Sequence, residues 1–242
     1  MSDDGYFGAA VARDYDQFDG ATDPAEIAQV VEVLHDLAGD GTALEFAIGT
    51  GRIALPLAAR GCTVKGIELS QAMVAELRAK ESGPPMDIAV GDMTTTRVAG
   101  DFSLVFLVYN TIDNLVSQEA QVACFSNAAA HLPSGGRFLV ETLVPPLQRL
   151  PVGETRLAFA CSADHMGIDE FDVVTQTYTS HHVWVGRGQD RVSSVPFRYA
   201  WPAEMDLMAR LAGMSLEHRW GGWDRGPFTR TSRAHVSVWK KD

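Results

Sequence analysis

Cysteine is scarce. Cys62, Cys124 and Cys161 are odd in number and far apart, which fits neither a disulfide framework nor a CxxC metal site, so all three read as small buried hydrophobes. The one adjacent histidine pair, His181-His182, would point to opposite faces of a strand and makes no two-ligand clamp, so no metal is expected. Basic charge is also short: 20 Lys and Arg against 31 Asp and Glu leave a net charge of −11. Nucleic-acid binding rests on clustered cations, so neither DNA nor RNA is an expected partner. No window approaches the ~20 unbroken apolar residues of a membrane span. The opening Met1-Ser2-Asp3-Asp4 lacks the order of a signal peptide, and a cytoplasmic location is expected. Repeats and low-complexity runs are lacking too.

What is present is ordinary globular material, 46% hydrophobic and 21% charged over 242 residues, enough for one domain with an insertion. Thr22-Asp23-Pro24-Ala25-Glu26 starts a helix over 24–38, with Ile27, Val30, Val31 and Leu34 on one face. Strand patterns at 43–48, 63–67, 87–90, 102–108 and 137–143 alternate with helical ones at 52–60, 71–80 and 117–132. That alternation implies βαβ units: a doubly wound, mostly parallel sheet with helices on both faces. After Pro145-Pro146 come segments rich in β-formers at 156–161, 171–185 and 191–200, with a turn at Gly186-Arg187-Gly188. They read as an antiparallel β cap inserted over 155–200. A helix at 203–212 and strands at 214–220 and 234–239 then close the sheet with an antiparallel edge pair. The parts are thus an N-terminal arm and helix (1–40), a core (41–145), the cap, and a C-terminal helix with edge strands (203–242).

The run Leu44-Glu45-Phe46-Ala47-Ile48-Gly49-Thr50-Gly51-Arg52 is a strand, a glycine turn and a helix start, which brings a ligand against bare backbone. Gly49, Gly51 and Ala54 satisfy G-x-G-x-x-A, so a nicotinamide-dependent oxidoreductase is one reading. Glu68 ends the next strand, where a carboxylate can accept both hydroxyls of an adenosine ribose, whichever adenosine cofactor is bound. Glu45 argues against the oxidoreductase reading, because an acid inside a buried strand needs a partner and a dinucleotide fingerprint has no use for it. Gly91-Asp92-Met93 adds an acid suited to an adenine amino group. No Ser-Tyr-Lys hydride-transfer set accompanies these residues.

The order LEFAIGTGR, GIELSQAM, VGDM, FSLVFLVYNTIDNL and HLPSGGRFLVE resembles the class I S-adenosylmethionine-dependent methyltransferases over residues 5–143. The resemblance implies a Rossmann-like α/β fold, S-adenosyl-L-methionine as cofactor and S-adenosyl-L-homocysteine as product. It implies that Glu45 helps hold the glycine turn and the methionine end, that Ala47, Gly49 and Gly51 allow close approach of the backbone to the donor, and that Glu68 binds the ribose. Leu69 and Met73 would flank the adenine, with Asp92 and Met93 on its edge. Tyr15 looks like the N-terminal tyrosine that reaches the donor's carboxylate; the alternative is that Tyr6, Phe7, Tyr15 and Phe18 only pack the arm down. Val108, Tyr109 and Asn110 end the fourth strand, beside the transferable methyl. Asn/Asp-Pro-Pro-Tyr/Phe is missing there, which removes DNA and glutamine amino groups as substrates.

The insert and C-terminal pattern resemble bacterial biosynthetic methyltransferases for small molecules, including those acting on amino sugars and peptide amines. The expected function is methyl transfer to an N, O or C nucleophile of a small molecule; a non-catalytic cofactor-binding regulator is a further alternative. The sequence also allows a homodimer. Among the histidines, His181 and His182 are the preferred candidates for a general base, while His35 and His131 read as capping or dipole residues. Trp223, with Trp220 in a glycine-bearing loop, either lines the acceptor pocket or packs its edge. Met205, Met208 and Met214 sit at core spacing.

Overall fold

A computed structural model describes residues 5–17, 23–186 and 191–242. The arm carries a short helix, α1 (Ala9–Asp14), and α2 (Pro24–Ala38) follows. Asp23 caps α2 by accepting the Ala25 N–H at 2.9 Å, and Val30, Val31 and Leu34 bury its inner face. Strands β1 (Thr42–Phe46), β2 (Thr63–Glu68), β3 (Asp87–Val90), β4 (Phe102–Leu107) and β5 (Arg137–Leu143) alternate with α3 (Ala54–Ala59), α4 (Gln71–Lys80) and α5 (Gln118–His131). Then come β6 (Arg156–Cys161), β7 (His165–Asp172), β8 (Thr177–Trp184) and β9 (Arg191–Arg198). The chain ends in α6 (Pro202–Leu211), β10 (Met214–Trp220) and β11 (Ala234–Lys241).

The large sheet runs β10-β11-β5-β4-β1-β2-β3. β1 to β5 pair in parallel, and β11 is antiparallel to both β5 and β10. The doubly wound α/β reading holds, with the reversed strand lying one place in from the edge that β10 occupies. One face is filled by Phe125, Phe138, Trp239 and Met205 and the other by Leu34, Leu57, Leu77 and Phe106. Strand order reverses between β1 and β4, which opens a crevice at their carboxyl ends, the usual ligand position in such sheets.

β6-β7-β8-β9 form a separate antiparallel sheet. Arg198 pins it to the body: its guanidinium pairs with Glu204 at 2.7 Å and reaches the Gln121 amide oxygen. The continuous strand expected over 171–185 breaks at 173–176. There Asp172 accepts the Val174 N–H at 2.8 Å and Gln176 adopts a left-handed conformation, so a side-chain-closed turn overrides the β preference of the two valines. The 52–60 helix starts two residues late, at Ala54. Cys161, expected buried, is exposed at the end of an edge strand, while Cys62 and Cys124 are buried. Phe18 and the Arg187-Gly188 part of the turn lie outside the described residues. No helix among the described residues is long and apolar enough to cross a membrane.

Candidate active site

The crevice is built on three short segments that leave the sheet. After β1, Ala47, Gly49 and Gly51 all have positive φ (51°, 59° and 77°), so the turn is held in a conformation that costs Ala47 something a glycine would not pay. The two glycines differ. A Cβ on Gly49 would meet nothing closer than 3.8 Å, leaving its outer side open to a ligand, whereas one on Gly51 would strike Leu77 at 2.8 Å. Gly51 is thus required by packing of the turn on α4.

Glu68 fixes this turn from β2. Its carboxylate accepts the N–H of Gly49 and of Ser70, both at 2.8 Å, and it is 6% exposed. A carboxylate has about four acceptor positions, so ribose hydroxyls would share it with two backbone donors. Leu69 is exposed directly after β2, Met73 is buried in the first turn of α4, and Met93 is buried after β3. Asp92 is exposed and holds its own turn by accepting the Thr94 N–H and hydroxyl at 2.7 Å.

Glu45 lies inside β1, 4% exposed, and its Oε2 has no protein hydrogen-bond partner. Burial drives its carboxyl well above the usual range, opposed chiefly by the Arg52 cation. A buried carboxylate with an unused oxygen fits the ammonium of a methionine moiety, and with the open side of Gly49 it accommodates the expected donor. The Arg52 guanidinium stacks 4.1 Å above the Tyr109 ring. Tyr15 is close to Arg52, Tyr109 and Glu68, and burial pushes its phenol up to about 12. The arm is tied on by Ser70 Oγ, which donates to the Phe7 carbonyl at 2.7 Å, and by Thr50 Oγ1 donating to Asp16 at 2.6 Å.

After β4, Val108 is buried, and Tyr109 and Asn110 are consecutive left-handed residues (φ 61° and 56°). Such strain in two non-glycine residues marks a site. Glu141 on β5 holds the turn: Oε2 accepts the Tyr109 N–H, and its carbonyl accepts the Asn110 N–H at 3.3 Å. Burial raises the Glu141 carboxyl to about 7, helped by Glu26 and opposed by the Tyr109 N–H and Arg52. Asn110 Oδ1 is buried without a protein partner. A cavity here is walled by Glu26, Arg52, Val108, Tyr109, Glu141 and Trp223. The sequence reading had no role for Glu141 or Arg52, although an acid inside the apolar run FLVETL carried the same signal as Glu45.

His181 and His182 lie on the small sheet. His182 sits flat on Trp184 (ring centroids 4.9 Å apart), bonds His165 at 2.9 Å through Nδ1 and Ser180 at 3.2 Å through Nε2. Burial, with His165 and Arg191 nearby, lowers its pKa. His181 is on the opposite face, bonded to Ser194 at 2.8 Å and 3.6 Å from Glu170. Both rings are engaged with residues of their own sheet. Tyr6 reaches that sheet, with Ser193 donating to its hydroxyl at 3.4 Å.

Comparison with known proteins bears on this geometry. Residues 43–136 match the family model described as a methyltransferase domain. The CcbJ methyltransferase of Streptomyces caelestis is 32% identical, with 98% of each chain covered and a TM-score of 0.87. The cypemycin N-terminal methyltransferase of a Streptomyces species is 24% identical over 245 residues, 98% of both chains. CalS10 of Micromonospora echinaspora, an amino pentose methyltransferase of calicheamicin biosynthesis solved with S-adenosylmethionine, has the same fold, at 20% identity, 98% coverage of each chain and a TM-score of 0.73.

Proposed function

Because the chain belongs to the class I S-adenosylmethionine-dependent methyltransferases, we propose that it transfers the methyl group to an amine nitrogen of a small molecule. The observation that carries this is the Tyr109–Asn110 turn, where Asn110 Oδ1 is buried and unpaired and Glu141 sits beside it with a raised carboxyl. Acceptor atoms of this kind complement N–H donors and positive charge. The histidines expected as a base for a hydroxyl, His181 and His182, are bonded within the small sheet. Two of the relatives above carry an amine-bearing group in their names, an N terminus and an amino pentose. The nicotinamide reading finds no support beside them.

In this reading Glu45 binds the donor's ammonium, Tyr15 and Arg52 its carboxylate, and Glu68 its ribose. Leu69, Met73, Asp92 and Met93 receive the adenine, while Ala47, Gly49, Gly51 and Val108 line the donor's path. Tyr109, Asn110 and Trp223 face the acceptor, under the cap of residues 155–200. The donor's sulfonium supplies an already electrophilic methyl, so the chain contributes alignment, exclusion of water and handling of a proton. The test is a methylation assay with isotope-labelled donor and matched amines and alcohols, product position read by mass spectrometry. N-methyl products are expected; methylation of the alcohols alone would defeat the proposal.

A further inference from the structure

A buried carboxylate between the site turn and the small sheet is unused by the donor site. Asp113 belongs to the single 3-10 turn Thr111–Asn114, donates its N–H to the Asn110 carbonyl at 3.0 Å, and is 3% exposed. Its Oδ1 accepts the Thr142 hydroxyl from β5 and its Oδ2 the Tyr178 hydroxyl from β8, each at 3.2 Å. Both partners are neutral, and two of about four acceptor positions stay open. Among the described residues no cation pairs directly with Asp113; Arg198 on β9 acts from a distance, committed to Glu204. Burial pushes the Asp113 carboxyl up to about 7, with Glu141 on β5 adding to the rise and Thr142, Tyr178 and Arg198 opposing it.

Two further buried polar atoms around these strands lack a protein partner. His235 on β11 is fully buried and lies directly opposite Thr142. Its Nδ1 bonds Ser237 at 2.8 Å, further along β11 and so towards the amino ends of the parallel strands. Its Nε2 has no protein partner. Asn110 Oδ1 is also buried without a protein partner, on the residue whose carbonyl accepts the Asp113 N–H. Glu141 is the rival carboxylate, but it accepts the Tyr109 N–H and holds the strained turn.

We propose that Asp113 accepts the proton of the acceptor's ammonium group and so frees the nitrogen to react; this rests on the amine reading above. An acceptor bound as R–NH3+ passes one proton to the Asp113 carboxylate. The freed lone pair then forms the N–CH3 bond while the electrons of the breaking S–CH3 bond stay on sulfur. The products are a neutral thioether and an N-methylammonium ion, and Asp113 returns its proton to solvent. Tyr178 is a positioning residue: its hydroxyl favours the charged carboxylate, so the small sheet tunes the base.

The test uses the full chain with benzylamine, D-glucosamine and L-alanyl-L-alanine as probe amines and benzyl alcohol as control. In Asp113→Asn the Thr142 and Tyr178 hydroxyls can still bond the amide. It should lower kcat at pH 7 by about a hundredfold and leave S-adenosylhomocysteine affinity within roughly twofold, since the donor site is untouched. Its kcat should go on rising towards the amine's own pKa, where the wild type levels off above pH 7. Tyr178→Phe should move the wild-type acid limb to higher pH, a shift that mere loss of packing would not give. Independently of turnover, carboxyl carbon NMR of the S-adenosylhomocysteine complex should show Asp113 titrating near neutrality, and benzylamine hydrochloride should lower that midpoint by about one unit where benzyl alcohol does not. An Asp113 signal indifferent to the amine, or N-methylation at wild-type rate and pH profile in Asp113→Asn, overturns the proposal and leaves the amine reading standing. Methylation of the alcohol alone removes the amine reading itself.

Discussion

Glu68→Ala should injure two things at once, and the structure allows each to be sized. The carboxylate accepts the Gly49 and Ser70 N–H groups at 2.8 Å while itself 6% exposed. Truncation leaves the Ser70 donor buried and unpaired, and the Gly49 donor partly so. An orphaned buried donor costs about 1–3 kcal/mol, and water can reach Gly49, so the fold should lose roughly 2–4 kcal/mol. The ribose contact is separate: a carboxylate accepting two hydroxyls makes charge-assisted bonds, and its loss should weaken S-adenosylhomocysteine by about 1.5–3 kcal/mol, or roughly 10- to 150-fold in Kd. Urea denaturation gives the first figure and calorimetry, well below the unfolding midpoint, the second. Wild-type affinity in the folded variant would refute the ribose assignment. Wild-type stability would refute the account of the glycine turn.

The remaining expectations are shorter. Arg198→Ala leaves the half-buried Glu204 without its cation and the buried Gln121 amide oxygen without its donor, and should cost about 1–3 kcal/mol, read as a lowered urea midpoint together with loss of near-ultraviolet signal from the aromatic small sheet. If Tyr15 closes on bound donor, amide exchange over residues 5–17 should slow on adding S-adenosylhomocysteine, since opening of the arm would then require ligand release; equal exchange would leave the arm as packing alone. Glu141 has a folded pKa near 7 against an ordinary unfolded one, so the native state holds the extra proton between about pH 4 and 7 and stability falls as pH rises through that window. Glu141→Gln keeps an oxygen for the Tyr109 N–H and lacks the titration, so its stability relative to wild type should improve from pH 5 to pH 8, by roughly 2–3 kcal/mol; a constant difference would mean that Glu141 titrates normally.

Helix α2 was legible because its signals are local: a capping Asp23, Pro24 in the first turn and apolar residues at helical spacing. Glu45 stands out for a different reason, since a charge inside an apolar strand calls for a partner, and the structure leaves its Oε2 without a protein one. The same argument applied to Glu141 and was not enough alone, because what Glu141 holds is created elsewhere. Its donor is a backbone N–H 32 residues upstream, exposed by two left-handed residues that are not glycine and so leave no mark in the sequence. Asp113 is further removed still, with partners 29 and 65 residues away on β5 and β8. The histidine pair shows the converse. Alternation put His181 and His182 on opposite faces, as the structure does, but not the flat stacking on Trp184 or the bond to His165 that occupies one ring. An acid in a buried strand can therefore be read from sequence as a site, whereas its role depends on which unpaired donors the fold brings to it. On that criterion the carboxylates at the ends of β4 and β5, and not the histidines of the small sheet, are where proton transfer should be sought.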